Sequence, residues 1–228
     1  MITDIKTFGL AFVFGIIPSL LWLWFWLQED RKNPEPKGAL SVVFFMGLVS
    51  VIFVLPIQQF IQAHIKDSTV DLLLWATAEE LVKFLAVVVV IYRSNLTDEP
   101  IDWPIYMITA ALGFAALENT LFLIQPLNVG DTVVGLLTGQ LRFLGSTLLH
   151  TVTSGIVGLA MGASVHLSGF KKNLHLVEGL LLAISLHSIF NFFIIQNDGN
   201  DYLKVFAFLW VVTIIVLLIF EKIRRMPA

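Results

Sequence analysis

Apolar residues run along this chain in blocks of about 20, each closed by a short polar or proline-bearing interval. A window of about 19 residues separates seven segments, at about residues 5–27, 39–62, 71–92, 105–124, 133–167, 175–195 and 203–220. Their length predicts membrane-spanning helices. The intervals carry helix-stopping chemistry. Residues 29–37 hold Pro34 and Pro36, and residues 125–131 hold Pro126 and Gly130 in a predicted turn. Pro56 predicts a kink in segment two, and Pro104 suits the first turn of segment four. The first segment has no small-residue cleavage site before Gln28 and reads as a retained anchor. Trp22, Trp24 and Trp26 at its end read as an interfacial aromatic belt. The expected fold class is all-α: a polytopic transmembrane helix bundle of about seven spans, one domain over residues 1–228.

Composition supports this. Hydrophobic residues make up 57% of the chain and charged residues 14%, well away from a soluble domain. The net charge of −3 is small, and no basic patch is large enough to argue for nucleic acid, so the expected partner is the lipid bilayer and not a nucleic acid, in a multi-pass protein of the cell membrane. The absence of cysteine excludes disulfides and thiolate chemistry. Arg31, Lys32, Lys37, Arg93, Lys171, Lys172, Lys222, Arg224 and Arg225 fall on one side of the bundle, and Lys6, Lys66 and Lys204 on the other. The positive-inside rule then places the N-terminus outside and the C-terminus in the cytoplasm.

Ionisable and amide side chains inside four segments change the picture. Segment three carries Glu79, Glu80 and Lys83; segment four Glu118 and Asn119; segment five Arg142 and His150; segment six His187 and Asn191. Each charge at the centre of a bilayer costs about 2.5–3.5 kcal/mol on insertion scales, so a plain anchor has no use for them. Counted from the predicted outer ends, Glu79, Glu118, His150 and His187 lie on the order of 9–16 Å deep at 1.5 Å per residue. Glu79 and Glu80 stand four and three residues before Lys83, within pairing reach. Arg142, Ser146, His150, Ser154, Gly158 and Gly162 follow at four-residue steps, a polar-then-small stripe that predicts a central segment five packed on segments three and six.

Singly, most of these residues have plainer explanations. His150 alone reads as a helix–helix contact, Glu118 as a proton-relay carboxylate, and Arg142 as a side chain snorkelling to the outer face. Their shared depth is what argues for one site, because scattered structural groups have no cause to share a level.

Taken in order, Glu79-Glu80-x-x-Lys83, Gly113-Phe114-x-x-x-Glu118-Asn119, Arg142 with His150, and His187-x-x-x-Asn191 resemble the PrsW family of intramembrane proteases. That family sits in a superfamily with the type II CAAX prenyl endopeptidases and the bacteriocin-immunity ("abortive infection") membrane proteins. The motif-bearing core spans about residues 71–195. The CAAX branch has Arg and His where this chain has Lys83 and Glu118, so a prenyl-cysteine substrate is not implied. The resemblance implies hydrolysis of a peptide bond of a membrane-bound protein, such as an anti-sigma factor, entering from the lipid.

The chemistry this requires is an activated water and a stabilised oxyanion. Glu79 or Glu80 would take the proton from water, the other being fixed with Lys83, while His187 and Asn191 would face the oxyanion. Glu118 and His150 would position water or join a metal site; Glu79, Glu118, His150 and His187 are the candidate ligands for Zn²⁺. Asn119 and Arg142 would support the site. A metal-free, glutamate-activated water is equally compatible with these residues. Outside proteolysis, the same residues would suit a proton-coupled transporter, a haem protein using His150 and His187, or a silent scaffold of the immunity type.

Overall fold

The apolar blocks fold as helices: α1 (Ile5–Glu29), α2 (Lys37–His64), α3 (Ser68–Ile91), α4 (Asp102–Asn128), α5 (Thr132–Leu144), α6 (Ser146–Ala163), α7 (Phe170–Gln196) and α8 (Tyr202–Arg224). The structure is a computed structural model that describes residues 4–29, 33–91, 94, 96–128, 132–196 and 202–226. Arg31, Lys32 and Arg93, used for the orientation, lie outside these residues, as do residues 129–131 of the predicted turn. No strand occurs among the described residues.

Among the described residues, six stretches are long and apolar enough to cross a membrane: residues 5–29, 37–64, 102–128, 137–163, 170–195 and 202–224. The seventh helix of spanning length is α3, with 24 residues; its Asp71, Glu79, Glu80 and Lys83 lower its hydropathy. These seven account for the expected spans. Large apolar side chains such as Phe53, Phe60 and Leu218 face outward, as lipid requires.

The bundle is built around α4. Every residue from Pro104 to Ala116 is buried, with α1, α2 and α6 packed on it. Small side chains make this approach possible. A Cβ added at Gly47 would lie 2.0 Å from the Ala110 carbonyl oxygen, and one at Gly113 would lie 2.0 Å from that of Phe44. The α2–α4 crossing is therefore a backbone contact that admits only glycine. On the other side, a Cβ at Gly158 would meet the Pro104 backbone at 2.4 Å. The small half of the predicted stripe thus serves α4, and α6 packs chiefly on α4 and α7, touching α3 only lightly. Segment four, rather than segment five, is the central helix.

Three other expectations are corrected. Segment five is two helices, broken at Gly145, whose added Cβ would stand 2.6 Å from the Phe206 ring. Pro126 does not end segment four, because α4 continues through it to Asn128. Of the three tryptophans, only Trp24 faces outward. Trp26 is fully buried against Phe220, and Trp22 packs with Phe143 and Trp210.

Candidate active site

Helix α3 brings its charged turn between α2, α4, α6 and α7. Glu79, Glu80, Lys83, His150 and His187 are all buried, while Glu118 is partly exposed. They form one connected network. Lys83 is its hub: Nζ donates to Glu80 Oε1 at 2.6 Å and lies 3.0 Å from His150 Nδ1. An ammonium only donates, so His150 Nδ1 accepts and its Nε2–H donates to Glu118 Oε2 at 3.1 Å. Glu118 is also held by Arg142 Nη2. Arg142 donates further from Nε to Asn119 Oδ1 at 2.5 Å and from Nη2 to Ser146 Oγ at 3.0 Å. Its guanidinium lies 3.9 Å over the Phe122 ring. Arg142 therefore turns into the site instead of snorkelling outward. Asn119 completes its own bonding by donating to Thr147 Oγ1 at 2.9 Å.

The adjacent glutamates have different surroundings. Glu80 is saturated. Its Oε1 accepts from Lys83, from His187 Nδ1 at 2.8 Å and from Thr153 Oγ1 at 3.0 Å, and its Oε2 accepts from Ser154 Oγ at 3.3 Å. Glu79 has no direct cation. Its Oε1 accepts from Gln58 Nε2 at 2.7 Å, and its Oε2 is buried with no hydrogen-bond partner. The nearest polar group to that oxygen on α7 is His187 Nε2, 3.6 Å away. His187 gives its Nδ1 proton to a carboxylate, so in the neutral ring Nε2 is a lone pair directed at Glu79. Three carboxylates stand against two cations here. Lys83 and Arg142 are engaged with Glu80 and Glu118, which leaves the uncompensated charge on Glu79.

Glu79, Glu118, Arg142, Ser146, His150, His187 and Asn191 line one cavity of about 520 Å³, whose other walls are Gln58 and mainly apolar side chains of α2, α3, α4, α5, α7 and α8. Glu80 and Lys83 stand behind it. The sequence-predicted residues thus converge, and among the described residues only Asn191 is joined to the others by the cavity alone. Gln58, Thr147 and Thr153 were not anticipated. Thr147 and Thr153 flank the polar stripe of α6, but a lone glutamine in an apolar helix gave no signal for Gln58.

Residues 35–219 match the family described as PrsW family intramembrane metalloprotease, a span that holds every residue of this network. The chain belongs to the PrsW family. It is a multi-pass intramembrane protease of the cell membrane. Proteins named Protease PrsW are similar to it over most of their length. That of Oceanobacillus iheyensis is 30% identical over 182 residues, covering 78% of this chain and 80% of its own. The Geobacillus kaustophilus protein is 26% identical, covering 82% and 81%, and the Bacillus subtilis protein 25% identical, covering 86% and 88%. No solved structure matches.

The family description raises the question of a metal. Glu79, His150 and His187 each offer a ligand atom, and these lie within 4.8 Å of one another, so the donors suit a divalent ion in number and type. Glu79 Oε2 lacks any partner, and His187 is oriented by a carboxylate on its far nitrogen, as metal-bound histidines are. His150 is the least prepared donor, since both its nitrogens already have partners. Glu118, a predicted ligand, falls outside this group and is held by Arg142 instead.

Proposed function

We propose that this protease hydrolyses a peptide bond of a membrane-bound protein at the cavity, with Glu79 as the carboxylate that meets the attacking water. The observation that carries this reading is the contrast between neighbours. Glu79 Oε2 has no partner at the cavity wall, whereas both oxygens of Glu80 are committed behind it. A base needs a free lone pair within reach of its proton, and among the two only Glu79 has one.

In this reading Gln58 fixes Glu79 by one oxygen and leaves the other for water. Glu80 and Lys83 hold His187 in the tautomer whose Nε2 faces that water. Asn191 and Arg142, on the cavity wall, are the donors for the oxyanion. Glu118 fixes His150 and Arg142. Glu79, His187 and His150 would hold a divalent ion, which when bound supplies a Lewis acid and a more acidic water. The largely apolar lining suits an extended stretch of a membrane helix, and an anti-sigma-like substrate fits the outer-half depth expected from the Lys/Arg bias.

Comparative membrane proteomics of wild-type and Glu79→Ala cells tests the reading. A membrane protein that is cut in the wild type and accumulates whole in the variant is expected; identical profiles would refute it. Metal content decides the ion separately: protein that is fully active after exhaustive chelation, with no metal by elemental analysis, excludes it.

A further inference from the structure

Trp75 lines the proteolytic cavity one helical turn before Glu79. Its indole Nε1 is buried and has no hydrogen-bond partner. An indole N–H only donates, and a buried tryptophan ordinarily finds an acceptor for it. In the same cavity Glu79 Oε1 is taken by Gln58, and Glu118 Oε2 by Arg142 and His150. A substrate brings the missing acceptor. A membrane helix spends its backbone carbonyls on itself, so water reaches a peptide bond only where that helix has opened. Opening frees carbonyl and N–H groups among mainly apolar walls, and each then needs a partner from the protein. Trp75 and Glu79 are four residues apart on α3, about 6 Å along its axis at 1.5 Å per residue. An extended chain advances about 6.4–6.8 Å in two residues, and carbonyls two residues apart lie on one edge.

We propose that Trp75 binds the substrate backbone: its Nε1–H donates to the carbonyl two residues from the scissile bond, on the side of the α2–α3 connector, and holds that stretch extended along α3. The proposal rests on the reading of Glu79 above, which sets the level of the scissile bond. It gives the substrate class a shape: a membrane segment that leaves the helical form beside its cleavage site, on the connector side. The bond is made in the ground state and the transition state alike, so it acts on KM and leaves kcat nearly unchanged. In the free protein the donor has no partner, so its removal costs no stability.

The test takes the membrane protein that accumulates whole in Glu79→Ala cells and uses its transmembrane segment as a synthetic peptide, with the full-length protease in nanodiscs. Benzothienylalanine incorporated at position 75 keeps the double ring and loses only the N–H. It should raise KM about 2- to 13-fold, the worth of one neutral hydrogen bond, with kcat within about twofold. Its Tm should equal or exceed that of wild type. A second readout needs no cleavage. In ¹⁵N-tryptophan-labelled Glu79→Gln protein, the indole N–H resonance that Trp75→Phe removes should move downfield as the peptide binds. A wild-type KM or a lowered Tm with benzothienylalanine overturns the proposal. So does a resonance that stays in place while the peptide binds, which would leave Nε1–H to water. Cleavage by Glu79→Gln at the wild-type rate, or no protein accumulating in Glu79→Ala cells, instead overturns the reading of Glu79, and this proposal with it.

Discussion

Replacing Gln58 by Leu probes the proposed division of labour between Glu79 and Glu80. The amide holds Glu79 Oε1 at 2.7 Å and is the only hydrogen bond that carboxylate makes among the described residues. Leucine keeps about the same volume and an apolar wall but cannot donate. A hydrogen bond to a charged group is worth about 1.5–3 kcal/mol. At about 1.4 kcal/mol per factor of ten, kcat should fall about 10- to 150-fold if the bond is what aims Oε2 at the water. Substrate binding draws on the whole lining, so KM should stay within about threefold. The assay is cleavage, in nanodiscs, of the membrane substrate found by proteomics, with kcat and KM determined separately and Tm measured in parallel. Gln58→Glu, which sets a second carboxylate against the first, should lose more than Gln58→Leu. A Gln58→Leu protein with wild-type kcat and unchanged Tm would refute the reasoning.

Other variants test the framework around it. Lys83→Met should lower Tm sharply, because stranding a buried carboxylate costs about 3–5 kcal/mol, while Glu80→Gln with Lys83→Met should regain most of the stability but not the cleavage, as thermal unfolding and proteolysis assays would show. Arg142→Lys keeps the charge but cannot reach Glu118, Asn119 and Ser146 together, so a loss in kcat of about tenfold or more is expected from steady-state kinetics. Gly47→Val should yield little folded protein by size-exclusion chromatography, since its side chain would occupy the position of the Ala110 carbonyl; overpacking costs about 1–3 kcal/mol even where flexible side chains can move, and here backbone is in the way.

Much of the site was legible in the chain because charges inside apolar segments are expensive enough to demand a common cause. Four-residue spacing placed Ser146, His150 and Ser154 on one face, and their bonds to Arg142, Glu118 and Glu80 bear that out. What could not be read was which neighbouring glutamate meets the cavity. Glu79 and Glu80 differ by about 100° around the helix, and only the packing of α2 and α7 on α3 decides between them. Gln58 was missed for the same reason: an amide on an apolar helix shows nothing of its partner on another. The break at Gly145 left no mark, because the polar stripe keeps its phase across the bend through the Arg142–Ser146 bond. Pro126 misled because it falls in the last turn of α4, where a kink is least costly. Segment four was overlooked as the centre. Its small residues, Ala110, Ala111, Gly113, Ala115 and Ala116, carry little hydrophobic signal but permit the closest approaches in the bundle.

The claim that Glu79 meets the water is tested most directly by reconstituting wild type, Glu79→Gln and a Glu79→Gln, Gln58→Leu double variant in proteoliposomes with the substrate and H₂¹⁸O. Mass spectrometry of the new C-terminus gives the result. The account predicts one ¹⁸O per cleaved bond with wild type. It predicts no product above background with Glu79→Gln at unchanged Tm, and nothing further lost in the double variant. Cleavage by Glu79→Gln at the wild-type rate would contradict it.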